Sequence, residues 1–384
     1  MKSQIFNFIS SNNTRRSIYL GLTFAHLITT IYWIKDNGWL RYSTENYKIF
    51  CYPMFKNCYQ FIFEDTLVMK LVFISYFLLT IFSFLIIGLN KKNLFLPLLI
   101  LLTLIKTTIL FSRYNFMGNY HTMHLSLCII TIISTASINY YRLTLVLQYF
   151  FAGLLKLNKE WITGASLVSY SPYMFQNTWY LMSLAYVPVL ELVLVWGLLS
   201  KSKTLRLVTL SQLVFFHLYS VFIVGFYYPL IMTGLLIPIL YFEFSNFKID
   251  NFKNVKESRT IQNTSSLIFI LIMFYWNISS KFYNIDPAMD GTVRYLTLNM
   301  LDAKLKCQHT LLEETQDGTV VALNIPKLAT YLRIHCDAMI FETFLKRLCN
   351  KNPERKFMFY LESTRTTDKQ FTLVREYKNV CQEL

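Results

Sequence analysis

The sequence is poor in charge, glycine and proline. Only 15% of its 384 residues are charged, whereas a soluble domain has about 25%, and it contains 11 glycines and 9 prolines. The low charge and a mean hydropathy of +0.37 exclude a disordered chain and disfavour an ordinary soluble enzyme. The scarcity of glycine and proline excludes collagen-like and low-complexity proteins. With 54% hydrophobic residues, including 33 Phe and 26 Tyr, the composition is typical of a polytopic helical membrane protein.

Nine segments are candidates for membrane spans, since a span needs about 20 mostly apolar residues. They lie at 17–35, 67–89, 94–112, 122–138, 143–157, 177–199, 205–226, 228–243 and 265–281. The first is too long for a signal peptide and is followed by no small-residue cleavage site. We therefore predict an all-α bundle of about nine transmembrane helices over residues 1–282, and a separate domain over 283–384.

The basic residues predict an orientation. Residues 1–282 hold 23 Lys and Arg against 9 Asp and Glu, whereas residues 283–384 hold 14 against 13. In the first part, 13 basic residues precede the first span or lie in every second turn after it, which is the positive-inside pattern. They are Lys2, Arg15, Arg16, Lys91, Lys92, Arg142, Lys201, Lys203, Arg206, Lys248, Lys253, Lys256 and Arg259. We expect a cytoplasmic N-terminus, an extracytoplasmic C-terminal domain, a lipid bilayer around the spans and no nucleic-acid partner.

The cysteines favour the same orientation. Six of the seven lie on the predicted outer side, where disulfides persist: Cys51, Cys58, Cys307, Cys336, Cys349 and Cys381. Only Cys128 lies in a span. The six are candidates for disulfides, and the alternative is that they are buried thiols.

Residues 283–384 have the composition of a small α+β domain. We predict strands, rich in β-branched and aromatic residues, at Arg294–Met300, Thr319–Ile325, Lys356–Leu361 and Phe371–Tyr377. Asp337 is a candidate N-cap for a helix that runs to Leu348. His309 and His335 are isolated, so we predict a structural or partner-docking role for this domain rather than catalysis.

The predicted helix also restricts disulfide pairing. Cys336 and Cys349 bracket it and would lie about 20 Å apart, which is too far for a bond. If the four cysteines of the domain pair among themselves, two connectivities stay open: 307–336 with 349–381, or 307–349 with 336–381.

Ionisable residues inside spans are costly and are therefore functional candidates. They are His26, Lys106, Arg113, His121, His124, Lys156, Glu191 and His217. Tyr149, Gly153 and Lys156 share one helix face, and the small Gly153 would let another helix approach closely. A lysine on such a packed face is partly desolvated, which favours the neutral amine, a base. The alternative is a lysine that snorkels to the interface, with Trp161 as an anchor there.

The other candidates are histidines and one glutamate. His121 and His124 lie three residues apart and could face one cavity, and His217 and Glu191 lie in the middle of predicted spans. A lone histidine in a bundle can equally be a hydrogen-bonded packing residue, whereas a glutamate in mid-membrane needs a partner. The chain has no Walker A, GxGxxG, HExxH or CxxC motif. His121 and His124, three positions apart, could bind a metal or haem together with His217. This spacing is only weakly specific for such a site, so we predict no metal site.

Three segments resemble a known family. Tyr149–Gly164 has the pattern Tyr-Phe-x-Ala-Gly-x-x-Lys-Leu-x-x-x-Trp-x-x-Gly, Asn119–His121 precedes a span, and Phe216–Gly225 contains His217, Tyr219 and Ser220. Together they resemble the vitamin K-dependent γ-glutamyl carboxylases and their bacterial relatives, the horizontally transferred transmembrane (HTTM) domain proteins, over about residues 10–285. This resemblance implies a multi-pass protein of a bacterial inner membrane.

The resemblance also implies a chemistry. In the family, the motif lysine deprotonates a reduced naphthoquinone of the vitamin K type. Oxygen then converts the quinol into a strong base that removes a γ-proton from glutamate, and carbon dioxide adds to the carbanion. By resemblance Lys156 is the catalytic base, His121 stabilises an anion and His217 lines the cavity. Glu191, His124, Tyr149 and Trp161 are the further substrate or cavity candidates.

The outer region departs from the carboxylases, because only residues 283–384 follow the last predicted span. The first functional hypothesis is therefore a carboxylase-like lyase that uses quinol-dependent base chemistry on a peptide or a small substrate. The second is a non-catalytic membrane maturation or immunity factor whose outer domain binds a secreted peptide, since some bacterial relatives assist the maturation of secreted toxins. A transporter is disfavoured because no inverted repeat is apparent.

Overall fold

The computed structural model describes residues 2–36, 66–112, 118–165, 178–244, 260–279, 298, 305–315, 317–325 and 336–384. Most of this chain is helical. The first part contains α1 (Lys2–Asp36), α2 (Thr66–Gly88), α3 (Lys92–Ser112), α4 (Asn119–Ile133), α5 (Ile138–Leu155), α6 (Lys159–Ile162), α7 (Thr178–Leu192), α8 (Lys203–Val224), α9 (Tyr227–Phe244) and α10 (Thr260–Ser279). A 3-10 helix, Leu194–Leu199, follows α7.

Each predicted span coincides with a helix, and six of these helices are long and apolar enough to cross a membrane. Their apolar stretches are Asn13–Ile34, Lys70–Gly88, Lys92–Phe111, Leu181–Leu199, Lys203–Val224 and Tyr227–Phe244. The chain is therefore a multi-pass helical membrane protein. The helices α4, α5 and α10 are shorter or less apolar, so nine crossings stay a prediction.

The helices α4 and α5 lie inside the bundle. More than half of the residues of each are buried, and those of α4 include His121 and His124. By contrast, only about a third of the apolar stretch of α2 is buried. A helix surrounded by other helices can carry polar side chains that a lipid-facing helix cannot, provided that they find partners.

Three arginines join helix ends at the end of the bundle that we predict to be cytoplasmic. Arg16 donates to the Gly88 carbonyl at 3.2 Å, and Arg142 donates to the Leu198 carbonyl. Arg206 holds Glu243 with two hydrogen bonds of 2.6 and 2.8 Å and also donates to two backbone carbonyls. Such complete pairing is what allows a charged pair to be buried.

The C-terminal domain is a small α+β unit. Its strands β1 (Leu305–Glu314), β2 (Val320–Leu323), β3 (Lys356–Arg365) and β4 (Thr372–Tyr377) form one antiparallel sheet in the order β2-β1-β3-β4. Its helices are α11 (Ala338–Lys351) and α12 (Val380–Glu383). The Asp337 carboxylate caps α11 by accepting a 3.2 Å hydrogen bond from the Met339 N–H, as predicted.

The predictions for this domain were correct in most of the described part. Strands β2, β3 and β4 lie at predicted positions, although β3 continues to Arg365. Strand β1 was missed because polar residues occupy most of its first half, which hides the alternation of a strand. The predicted strand Arg294–Met300 lies outside the described residues except for Leu298, and His335 lies outside them too. His309 packs against Phe341, with ring centroids 4.9 Å apart.

Two disulfides fasten α11 at both of its ends. Cys307–Cys336 joins β1 to the residue before the N-cap, with Cα atoms 5.5 Å apart, and Cys349–Cys381 joins the last turn of α11 to α12, with Cα atoms 5.3 Å apart. This is the first of the two connectivities left open by the sequence. Cys51 and Cys58 lie outside the described residues.

The C-terminal domain contacts the ends of α3 and α5. Phe111, near the end of α3, packs against the core of the domain. The Glu160 carboxylate, just after α5, accepts two hydrogen bonds from Arg365 at 3.1 and 3.2 Å and one from Thr367 at 3.1 Å. The domain therefore lies at the end of the bundle opposite the three arginine contacts.

This contact should depend on pH. Burial raises the pKa of the Glu160 carboxyl, but hydrogen bonds from its own backbone, Arg365 and Thr367 outweigh that effect and leave the pKa below its usual value of 4.5. A lowered pKa means that the stabilisation is complete above about pH 4.5 and is lost as the pH falls through the pKa of the folded state. We expect Glu160→Gln to lower the midpoint temperature of unfolding at pH 7, and to lower it less as the pH falls through the pKa of the folded state. The exposed Glu354→Gln is the control, and an equal effect of both variants at pH 7 would contradict the assignment.

Candidate active site

Lys156 is held in a buried ion pair. It is the C-cap residue of α5, and its Nζ lies 2.5 Å from Oε2 of Glu191 in α7. The two side chains are 11% and 1% exposed. The amine also lies 5.2 Å from the centroid of the Trp161 ring. This arrangement differs from a snorkelling lysine, because the amine turns to a carboxylate inside the protein.

The small Gly153 makes this pairing sterically feasible. A Cβ at this position would lie 2.8 Å from Cγ of Leu192 and 3.0 Å from Cβ of Glu191. Any larger residue would therefore push α7 away from α5. The Ala-Gly of the motif thus brings the carboxylate of Glu191 within reach of Lys156, one helical turn further along α5.

The short helix α6 places Trp161 over the amine. Asn158 begins α6 by accepting a 2.9 Å hydrogen bond from the Trp161 N–H. The indole Nε1 of Trp161 donates to the Leu184 carbonyl at 3.0 Å, and the residue is only 8% exposed. Trp161 is therefore a buried wall of this site rather than an interfacial anchor.

A second buried pair lies beside the first. The Tyr149 hydroxyl and Nε2 of His217 are 2.5 Å apart, joining α5 to α8. Tyr149 interacts electrostatically with Glu191, and His217 does so with Lys156. We call these five side chains, Tyr149, Lys156, Trp161, Glu191 and His217, the Lys156 site. Nδ1 of His217 has no hydrogen-bond partner among the described residues.

A separate group of buried polar side chains lies between α1, α2, α3 and α4. We call it the α1–α4 cluster, and its members are His26, Tyr76, Lys106, His124 and Cys128. His26 Nδ1 lies 2.5 Å from the Tyr76 hydroxyl, and Lys106 Nζ lies 2.6 Å from His124 Nδ1. The ring centroids of His26 and His124 are 4.3 Å apart. His124, which we expected with the cavity residues, thus has its partners in this cluster.

His121 lies where the two groups approach each other. Its ring packs against Tyr120 and Trp33, with centroids 4.2 and 5.1 Å apart. Tyr120 lies 5.8 Å from Tyr228, which lies 5.8 Å from His217. His121 is 1% exposed, and neither of its ring nitrogens has a hydrogen-bond partner among the described residues. It therefore has two nitrogens available for a ligand, and aromatic rings join it to the Lys156 site.

Two features of these sites were not anticipated. Tyr76 and Tyr228 gave no signal, because tyrosine is frequent throughout this chain. The sequence places Cys128 inside a span, but it does not indicate that its Sγ lies 3.6 Å from Nε2 of His26. The three histidines that could in principle have ligated a metal do not share one site, since His124 lies in the α1–α4 cluster and His217 in the Lys156 site. Arg113 lies outside the described residues.

Comparison with protein-family models, with curated proteins and with solved structures finds no match to this chain. Inferences about its function therefore depend on its own residues and their geometry.

Proposed function

We propose that the protein is a carboxylase-like membrane enzyme in which Lys156 removes a proton from a lipid-soluble acid of the reduced naphthoquinone type. The observation that carries this proposal is the buried Lys156–Glu191 pair. It lies under Trp161 and beside the Tyr149–His217 pair. A surface lysine would be protonated and hydrated, whereas this amine has a proton acceptor within 2.5 Å.

The pair can supply a base without a change in net charge. Transfer of a proton from Lys156 to Glu191 converts an ammonium and a carboxylate into an amine and a carboxylic acid. A medium of low dielectric constant lowers the free-energy cost of this transfer, because the ion pair has lost its hydration there. The free amine can then accept a proton from a substrate hydroxyl, and the ammonium that results lies next to the substrate anion.

Two histidines have nitrogens available to that anion. Nδ1 of His217 and both nitrogens of His121 are buried and have no hydrogen-bond partner among the described residues. An N–H at such a position would stabilise an oxyanion more strongly than water does, since its orientation is fixed in advance. Unsatisfied buried nitrogens thus fit a polar ligand such as a quinol, and by resemblance oxygen and carbon dioxide are the co-substrates. A bound reduced naphthoquinone would supply the hydroxyl to be deprotonated.

Oxygen uptake tests the proposal. Detergent-purified protein with a reduced naphthoquinone should consume oxygen, and Lys156→Ala should slow this by about 10²–10⁴-fold, the usual contribution of a general base. Lys159→Ala is the matched control, because Lys159 is exposed and only three residues away. Circular dichroism would show that both variants keep their helices. Equal uptake by Lys156→Ala and the wild type would refute the role of Lys156.

A second candidate function is a non-catalytic maturation or immunity factor, and one observation favours it. Val320 and Val321 on β2 are 53% and 47% exposed, and β2 is an edge of the described sheet. An exposed apolar edge strand suits the addition of an extended peptide. Capture of one secreted peptide equally by the wild type and by Lys156→Ala, and its loss with Val321→Lys, would support this function.

A further inference from the structure

We propose that His26, His124 and Cys128 form a binding site for a monovalent copper ion between α1 and α4. Their ligand atoms all lie within 4.8 Å of one another, and the three residues are fully buried. This site shares no residue with the Lys156 site, so it does not depend on the proposed base chemistry.

The distances suit ligands of one ion. Nε2 of His26 lies 3.6 Å from Sγ of Cys128. A nitrogen and a sulfur bound to the same ion, at about 2.0 and 2.3 Å, lie about 3.5 Å from each other at a tetrahedral angle and about 3.7 Å at a trigonal angle. The same distance suits a thiol hydrogen bond, so the outer contacts and the charge have to decide between the two.

The outer contacts are those of metal-binding histidines, which usually have their second ring nitrogen held by a hydrogen bond. Nδ1 of His26 is held by the Tyr76 hydroxyl at 2.5 Å, which leaves Nε2 directed at the sulfur. Nδ1 of His124 lies 2.6 Å from Nζ of Lys106, which leaves Nε2 as its ligand atom.

The charges of the ligands and of the surrounding helices favour a monovalent ion. Helices α1 to α4 contain one acidic residue, Asp36, which lies ten residues beyond His26, about 15 Å along α1. The Cys128 thiolate is thus the anionic ligand of the site, and with a monovalent ion and two neutral histidines the site is neutral. A divalent ion would leave one uncompensated positive charge in the bundle beside Lys106, which is costly. A thiolate with two imidazoles is also a ligand set that copper favours.

Copper binding by the full-length protein tests this inference. We would load detergent-purified protein with Cu(I) under anaerobic conditions against the chelator bicinchoninate and measure copper and zinc by mass spectrometry. The chain should carry Cys51→Ser and Cys58→Ser, so that these two thiols do not contribute. We expect one copper per chain, and an affinity at least tenfold lower for both Cys128→Ser and His26→Gln. His217→Gln, an equally buried histidine of the Lys156 site, should bind copper as the parent does.

X-ray absorption of the loaded parent protein provides a test that needs no variant at the site. A spectrum with one sulfur and two imidazole ligands would support the assignment even if Cys128→Ser failed to fold. Absence of copper from the parent, copper without a sulfur ligand, or full binding by folded Cys128→Ser would each overturn it. Preferential binding of zinc would overturn the monovalent assignment.

Discussion

Glu191→Leu is expected to destabilise the protein by about 3–5 kcal/mol, since it leaves the Lys156 ammonium buried without a counter-charge. The Glu191 side chain is 1% exposed, and its Oε2 accepts directly from the amine. The double variant Lys156→Met/Glu191→Leu should recover most of this loss, because it buries no charge and fills a similar volume. Denaturation in mixed detergent micelles would measure the three free energies of unfolding.

The same variants separate stability from catalysis. The double variant should be folded and nearly as stable as the wild type, yet it should lack quinol-dependent oxygen uptake. If the role of the pair were purely structural, the double variant would recover its activity together with its stability. A double variant as unstable as Glu191→Leu alone would contradict the assumption that the unpaired charge causes the loss.

The other described buried pair, Arg206–Glu243, provides a comparison. Its side chains are 4% and 1% exposed, so the burial is similar. Arg206 also donates to the carbonyls of Ser200 and Lys201 at 2.9 Å. Replacement of both partners by apolar residues would leave these carbonyls without their donor, so here the double variant should stay destabilised. Among the described residues, the Lys156 pair makes one further hydrogen bond, a long one of 3.4 Å to the Ala152 carbonyl.

The positions of the helices could be predicted because long apolar segments are a strong signal. Tyr149 and Lys156 could be placed together for a similar reason, since helical spacing puts them on one face of α5. Sequence spacing could not show that α7 brings Glu191 to Lys156, because this depends on contacts between helices far apart in the chain. It also could not show that His124 belongs with His26 and Lys106. His121 and His124 are three positions apart, yet His121 packs against Tyr120 and Trp33. His124 instead contacts His26 and Lys106.

The C-terminal domain shows the same limit of prediction from sequence spacing. Helix geometry excluded a bond between Cys336 and Cys349 but left two connectivities, which differ only in which end of α11 faces β1. That choice is made by the packing of α11 on the sheet, where Phe341 and Leu345 are buried. Strand β1 was missed because its core-facing residues are few, and its long pairing with β3 supplies the hydrogen bonds that its own sequence pattern does not predict.

Cys349→Ser is expected to destabilise the C-terminal domain by about 3–4 kcal/mol, the chain-entropy value for a loop of this size. The bond closes 32 residues and holds α12, a single turn whose Val380 is fully buried. Without the bond, the packing of Val380 and Leu384 on the domain core has to hold α12 in place, so hydrogen exchange should increase at 380–384. The exposed Glu354→Gln, which breaks no disulfide, is the control for the C-terminal domain.

Mass mapping of the unreduced protein from its native membrane would test both the bonds and the orientation. We expect peptides that join Cys307 to Cys336 and Cys349 to Cys381. Disulfides persist in oxidising compartments, so their presence would place the domain, and with it the ends of α3 and α5, on the extracytoplasmic side. Glu160 and Trp161 would then face that side, and a secreted substrate would reach the Lys156 site without crossing the membrane. Four free thiols would instead place the domain in the cytoplasm and reverse the orientation predicted from the basic residues.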